Sequence, residues 1–431
     1  MADPVSLAPR RIAADFLDGV LRQRRTLDAL LGGHPGLAAL APRDRAFARN
    51  LVTTTLRRLG QIDALIDHCL TSPLPRKAAG VSMVLRLGVC QRLFMGVADH
   101  AAVATAVDLV RDLGLHGYAK LVNAVLRRLG REAEELLGAQ DAARLNTPGW
   151  LWDSWRAAYG DETAGRIAAA HLAEAPLDIS ARDDPSAWAG PLEAEVIGAG
   201  TLRRPAGGNV AELPGFADGA WWVQDAAARA VARMLGDVAG KRVIDLCAAP
   251  GGKTACLAAA GAAVTAVDRA PGRVRRLREN LARLNLAAEV VTADAAAWRP
   301  AAPADAVLLD APCSATGTIR RHPDIPWTKS PDDVARLAAL QGRLVDAAVG
   351  MLKPGGVLVF ATCSLQPEEG PDQLAGALER HPALALDPVR AGELGDLAVC
   401  LDSGGGFRSL PCHLAERGGV DGFFAARLKR V

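Results

Sequence analysis

Lys241-Arg242-Val243-Ile244-Asp245-Leu246-Cys247 runs directly into Ala248-Ala249-Pro250-Gly251-Gly252-Lys253-Thr254. The first half is a short apolar run bounded by turn signals, which predicts a buried strand. The second half is a turn of small residues opening a helix, and small residues let a backbone approach a ligand closely. Further strand-like runs follow at Ala263–Asp268, Glu289–Asp294, Ala306–Asp310 and Val357–Cys363, with helix-length segments between them. Strands alternating with helices predict a doubly wound, Rossmann-like α/β domain over residues 216–431. In such a sheet ligands gather at the carboxyl ends of the strands. Cys313 and Cys363 both fall just past such ends.

The turn narrows the choice of ligand. Gly252-Lys253-Thr254 suggests a phosphate-binding loop, but that motif needs glycine where this chain has Cys247. No G-x-G-x-x-G is present at the turn to hold the pyrophosphate of NAD. Asp268 ends the next strand, 21 residues after Cys247, where a carboxylate can accept both ribose hydroxyls of a nucleoside. Asp294 ends the third strand and would receive an adenine amino group. S-adenosyl-L-methionine carries no phosphate and satisfies this outline. The plainer reading makes Asp268 and Asp294 strand-end turn formers; the ordered set of motifs favours a cofactor site.

Residues 1–140 predict an all-α domain. Ile12, Phe16, Leu17, Val20 and Leu21 recur at helical spacing, as do Phe47, Leu51, Val52 and Leu56. Pro42-Arg43-Asp44 reads as a helix start, and Val84–Met95 as a central helix apolar on most sides. This part holds 19 Lys+Arg against 13 Asp+Glu while the remainder holds 31 against 35, so a polyanion would meet the amino-terminal part on better terms. Solvated helix faces explain so small a surplus equally well. Asn146-Thr147-Pro148-Gly149 marks a boundary. Residues 146–215 then read as a small α+β accessory subdomain: helices Trp150–Tyr159 and Glu162–Leu172, and strand-like pieces at 177–179 and 194–197. Trp150, Trp152 and Trp155 would stack on bases, although Trp152 and Trp155 at helical spacing favour a core.

Two thiols beside a nucleoside-type cofactor suit methylation of a pyrimidine carbon. Carbon 5 of cytosine is a poor nucleophile until a thiolate adds at carbon 6. An acid near N3 and a base for elimination complete the requirement. Asp310 and the two cysteines are candidates for these roles.

The motifs carry a family resemblance. Asp245–Thr254, Asp310-Ala311-Pro312-Cys313-Ser314-Ala315-Thr316-Gly317, Arg320-Arg321-His322-Pro323-Asp324-Ile325, Ala361-Thr362-Cys363-Ser364 and Asp421-Gly422-Phe423-Phe424 resemble the Nop/Sun family of RNA cytosine-C5 methyltransferases. In front, Asp44–Arg49, Leu85–Gly88, Asp99–Val103 and Lys120–Arg128 resemble the NusB-like RNA-binding fold, a combination similar to the bacterial branch acting on 16S rRNA. The resemblance implies S-adenosyl-L-methionine bound by Cys247, Ala248, Ala249, Pro250, Gly251, Gly252, Lys253, Asp268, Asp294 and Asp310. It implies Cys363 as nucleophile and Cys313 as the residue that releases product, with Asp310 facing the base. DNA cytosine methyltransferases use their Pro-Cys thiol as nucleophile, so the reverse assignment stays open. Glu368-Glu369-Gly370 stands where the family has Glu-Glu-Asn, and Pro326-Trp327-Thr328 where it has Lys-Trp-Leu; both put local loop contacts in doubt. His100 would touch RNA or, as the favoured reading, cap or pack against its helix.

The remaining features set bounds. No run of about 18 apolar residues and no signal segment occurs, so the expectation is a cytoplasmic protein off the membrane. Eight scattered cysteines favour reduced thiols. Cys69, Cys90, Cys256, Cys400 and Cys412 have no matched role; Cys400 with Cys412-His413 invites a zinc site, but no paired C-x-x-C accompanies it and no metal is expected. The expected partner is 16S rRNA and the expected state a monomer. Two other readings compete: an RNA-binding assembly factor with an idle catalytic domain, and a methyltransferase of small molecules or proteins.

Overall fold

Apolar residues three and four apart make the amino-terminal region helical, as their spacing predicts. The computed structural model describes residues 4–198 and 200–431. Helices span Pro4–Leu21, Pro42–Arg57, Leu59–Cys69, Ala79–Leu93, Asp99–Asp112 and Ala119–Gly138. Pro42 occupies the first turn of its helix, where a missing N–H costs nothing, and Asp44 lies beside the positive end of the helix dipole. Helix Ala79–Leu93 is the central one: Val81, Met83, Val84, Leu85, Leu87, Val89 and Cys90 point in different directions and are all buried. A β-carbon added at its Gly88 would lie 2.8 Å from Leu126 Cδ1, so helix Ala119–Gly138 packs directly on it. Trp150–Tyr159 and Glu162–Leu172 are two helices, as expected: the helical stretch Gly149–Ala170 is divided at Gly160 by its non-helical backbone (φ 79°, ψ 165°).

The chain compacts into two units: residues 1–173 with 319–330, and residues 174–318 with 331–431. Residues 319–330 are tied into the first unit by specific bonds. The Leu27 N–H donates to Asp324 Oδ2 at 3.0 Å, Trp327 Nε1 to the Leu56 carbonyl at 3.0 Å, and Arg57 to the Arg320 carbonyl at 2.8 Å. Our division into 1–140, 146–215 and 216–431 remains a proposal about functional parts; compactness cuts the chain along other lines.

The second unit begins with a four-stranded antiparallel sheet made of β1 (Leu177–Ala181), β2 (Glu195–Ile197), β3 (Thr201–Arg204) and β4 (Trp221–Val223), in the order β2-β3-β1-β4. Arg203 and Asp178, both buried, form a two-pronged ion pair at 2.7 Å for each prong, and Arg203 also donates to the Arg417 and Gly419 carbonyls.

The large sheet contains β5 (Arg242–Leu246), β6 (Ala263–Asp268), β7 (Glu289–Thr292), β8 (Ala304–Asp310), β9 (Leu352–Thr362), β10 (Leu384–Leu386), β11 (Phe407–Ser409) and β12 (Phe423–Arg430). Strands β9-β8-β5-β6-β7 are parallel, the doubly wound, Rossmann-like core expected from the alternation. Beyond β9 the sheet continues antiparallel through β12 and β10, with β11 also on β12. Helices Gly252–Ala259, Pro271–Leu284 and Pro331–Met351 connect the parallel strands. Burial on both faces explains why β5 and β8 read as continuous apolar runs rather than alternating ones.

Candidate active site

β8 and β9 are parallel neighbours in which Asp310 pairs with Ala361, so their chains leave the sheet side by side. The loop after β8 carries Cys313 and the one after β9 carries Cys363, and the two Sγ atoms lie 3.4 Å apart. The loops touch: the Gly317 N–H donates to the Cys363 carbonyl at 3.0 Å. Gly317 must be glycine, because a β-carbon there would sit 2.0 Å from the Gly422 carbonyl oxygen. A β-carbon on Gly422, in Asp421-Gly422-Phe423-Phe424, would in turn lie 2.9 Å from Gly317 Cα, and the Gly422 N–H donates to Gly317 O at 2.8 Å. Gly370, in the Glu-Glu-Gly departure, lies where a β-carbon would meet Phe424 Cγ at 2.9 Å.

The turn after β5 delivers the third component. Cys247 (φ 60°) and Gly251 (φ 102°) adopt left-handed backbone, which turns the chain sharply into helix Gly252–Ala259. The buried Lys253 on that helix donates to Asp310 Oδ2 at 2.7 Å. Burial alone would lower its ammonium pKa, yet Asp310, with the charges of Cys363 and Asp245, holds it above the usual lysine value. Asp268, at the end of β6, accepts the Ala249 N–H at 3.2 Å and the Ala270 N–H at 3.0 Å. Asp294 is exposed and caps the turn after β7 through the Ala296 N–H. Both aspartates are therefore turn formers, and both also line the cavity.

That cavity, of about 210 Å³, lies at the carboxyl ends of the parallel strands. Of the residues expected there, Cys247, Asp268, Asp294, Asp310, Cys313 and Cys363 line its wall. Ala248, Ala249, Pro250, Gly251, Gly252 and Lys253 do not; the first five shape the turn that presents Cys247, and Lys253 reaches Asp310 from behind the wall. Sequence reasoning missed Arg269, Arg273, Leu340 and Leu344. Arg273 lies 3.5 Å from Asp268 and donates to the Ala249 carbonyl. Leu340 and Leu344 form one face of helix Pro331–Met351, and a leucine pair at that spacing carries no signal separating a cavity wall from a core.

The three cavity thiols are not equivalent. Burial, with the charges of Asp310, Asp268 and Asp245, pushes Cys247 up to about 12, which makes it a poor nucleophile. Cys313 is held well above the usual thiol value by its hydrogen bond to Cys363, by burial, and by the charges of Cys363 and Glu369.

Other expected features are placed as follows. His100 neither caps nor packs: it is exposed in the first turn of helix Asp99–Asp112 and lines a groove with Arg111, Arg127 and Arg131. Helix Asp99–Asp112 needs no buried histidine because Ala102, Ala106 and Leu109 fill its inner face. Trp155 is fully buried, while Trp152 is half-buried under the Arg144 guanidinium. All eight cysteines are free thiols. Cys400 Sγ lies 3.3 Å from His413 Nδ1, and the described residues contain no group of three or more His, Cys, Asp or Glu side chains that could hold a metal ion. Among them no helix is long and apolar enough to cross a membrane.

Comparison with known proteins gives this site its context. A family model described as 16S rRNA methyltransferase RsmB/F matches residues 232–429, and the NusB family model matches residues 7–131. Ribosomal RNA small subunit methyltransferase B of Vibrio cholerae is 37% identical over 376 residues, covering 82% of this chain and 86% of that protein. The protein of the same name from Pseudomonas putida is 37% identical over 98% of both chains. The chain belongs to the ribosomal RNA small subunit methyltransferase B family. In fold this RsmB-family chain is similar to the crystal structure of PH0851, which superposes with a TM-score of 0.74 over 99% of both chains at 23% identity. NSun6 from Pyrococcus horikoshii, solved with SFG, has a TM-score of 0.55 at 20% identity, over 66% of this chain and 98% of that one.

Proposed function

We propose that this RsmB-family chain transfers a methyl group from S-adenosyl-L-methionine to carbon 5 of a cytosine in 16S rRNA, through a covalent bond between Cys363 and carbon 6. The observation that carries the reading is the pair of thiols, 3.4 Å apart, beside the Lys253–Asp310 pair. One thiol must add to the ring and another group must help undo that addition.

The donor set suits the cofactor. Asp268 and Asp294 offer carboxylate acceptors for hydroxyl and amino groups, and Arg273 is engaged by Ala249 and Asp268 rather than turned to a phosphate. The small-residue turn from Cys247 to Lys253 with Asp310 completes the set that would hold it. S-adenosyl-L-methionine, when bound, supplies an electrophilic methyl group.

The protein's own steps follow from the charges. Cys363 lies among the charges that act on the Lys253 ammonium, whereas the Cys313 thiol is held well above the usual thiol value and keeps its proton. This supports Cys363 as the group that bonds carbon 6 and Cys313 as the group that assists release. Asp310, anchored by Lys253, would accept a hydrogen bond from the amino group of the base. Once carbon 5 carries the methyl group, its proton leaves to a base, the carbon 6–sulfur bond breaks, and the electron pair of that bond returns to Cys363. The NusB-like part and the accessory sheet would hold the RNA, with the protein acting as a cytoplasmic monomer.

The test is methyl transfer from labelled S-adenosyl-L-methionine to unmodified 16S rRNA. The expected product is 5-methylcytosine from the wild type, none from Cys363→Ala, and a trapped protein–RNA adduct from Cys313→Ala. An adduct on Cys363→Ala would exchange the two roles, and no transfer by the wild type would remove the reading.

A further inference from the structure

Behind the two cysteines lies a carboxylate with no place in the steps above. Glu369 is fully buried, at 0% exposure, while its neighbour Glu368 is exposed. Its oxygens accept the Ser314 N–H at 2.9 and 3.1 Å, the Ser314 hydroxyl, and Gln341 Nε2 at 3.1 Å. Ser314 follows Cys313 and Ser364 follows Cys363, so the carboxylate grips the residue next to one thiol directly and, through the Ser314 hydroxyl, meets the residue next to the other.

The grip extends along both loops. Gln341 also donates to the Pro312 carbonyl at 2.9 Å. The Leu365 N–H donates to Thr316 Oγ1 at 2.9 Å, and Ser314 Oγ lies 3.2 Å from Ser364 Oγ. The Glu369 carbonyl accepts from Thr362 Oγ1 at 2.8 Å, which fixes Glu369 to the end of β9. Among the described residues no cation bonds the carboxylate: the donors are one N–H, one hydroxyl and one amide, all from the residue next to Cys313 or the helix behind it. A carboxylate buried without a cation is costly unless its hydrogen bonds are complete. Here the donors that complete it set the path of both cysteine loops.

We propose that Glu369 is a positioning residue that fixes the separation of Cys313 and Cys363. It does not touch the base. Its catalytic consequence rests on the two-thiol reading above; its geometric content does not.

Two readouts on the full-length protein separate these parts. The first is closure of the Cys313–Cys363 disulfide by diamide, which takes two electrons and two protons from the thiol pair; peptide mass spectrometry follows the product. It needs neither RNA nor methyl donor. Glu369→Leu should slow closure about tenfold, because thiol–disulfide exchange depends on approach of the two sulfurs. Glu369→Gln should keep it within about threefold, since an amide still accepts the Ser314 N–H and can donate to a serine hydroxyl. The second readout is steady-state methyl transfer. Glu369→Leu should lower kcat on the order of 10²-fold with KM for RNA and for methyl donor within about twofold, and Glu369→Gln should recover most of kcat. Should Glu369→Leu not fold, Ser314→Ala removes one hydroxyl from the carboxylate and should slow closure about threefold.

Closure by Glu369→Leu at the wild-type rate overturns the proposal, as does a loss confined to KM. If closure responds as stated but the wild type makes no 5-methylcytosine, the clamp stands and the two-thiol reading falls.

Discussion

Lys253 Nζ lies 2.7 Å from Asp310 Oδ2, joining the helix that opens after β5 to the end of β8. The contact places one cation among the groups that flank Cys363, and it holds the carboxylate proposed to face the base. Lys253→Met should therefore lower kcat on the order of 10²-fold, a loss typical of removing one charged group from a site. Single-turnover methyl transfer and the yield of the Cys363–RNA adduct check this. Adduct formation at the wild-type rate would show that the ammonium does not act on Cys363.

Asp268 combines two tasks, accepting backbone N–H groups from the turn and presenting a carboxylate to the cavity. Asp268→Asn keeps much of the volume and loses the charge. The dissociation constant for S-adenosyl-L-methionine should rise about tenfold, in line with the loss of a charge-assisted hydrogen bond. Calorimetric titration measures it without RNA. An unchanged constant would leave Asp268 as a turn former alone.

Asp245 makes stability depend on pH. It is fully buried, and burial pushes its carboxyl up to about 7 against an ordinary value of 3.8, with Thr254 donating to one oxygen at 2.6 Å. The folded state thus retains a proton that the unfolded chain gives up. Its contribution is complete below about pH 4 and is lost as pH rises through about 7. Asp245→Asn does not titrate, so between pH 4 and 7 the variant should gain on the wild type by a few kcal/mol, roughly, and then hold a constant difference. Denaturant midpoints of the two proteins across this range supply the comparison; parallel curves would contradict the assignment.

Arg203 and Asp178 anchor the small sheet. Replacing one partner leaves the other charged and buried. Arg203→Met should cost about 3–5 kcal/mol of stability and free the Arg417–Gly419 carbonyls that the guanidinium binds. Urea unfolding of the full-length protein measures the loss; a cost within ~0.5 kcal/mol would mean that the pair is solvated in solution.

The site was legible where chemistry and strand ends coincide. Cys313, Cys363, Asp310 and Asp268 each follow a short apolar run, and that placement is visible in one dimension. Leu340, Leu344 and Arg273 were not legible, because apolar and basic residues on amphipathic helices look alike whether they face a cavity, a core or water. β12 was not read as a strand: Phe423-Phe424-Ala425-Ala426-Arg427-Leu428-Lys429-Arg430 has no β-branched residue, and pairing with β9 overrides its weak preference. Glu369 drew notice only as part of an altered motif, since nothing local says that one glutamate of a pair is buried and its neighbour is not. His100 was misread because the helix start gave a reason for a cap, while the alanines that fill the inner face gave no sign of leaving the histidine outside.

The stretch from Ile319 to Ser330 sets an order of events during synthesis. The first 173 residues leave the ribosome long before the residues that finish their core. Until Asp324 and Trp327 emerge, the Leu27 N–H and the Leu56 carbonyl lack the partners they have in the finished protein. The helical part is thus sealed only after β5, β6, β7 and β8 and both halves of the Pro312-Cys313 motif have been translated. A nascent chain arrested between the two segments would carry an unfinished helical core, so the first unit is completed only after most of the parallel strands of the second have been made.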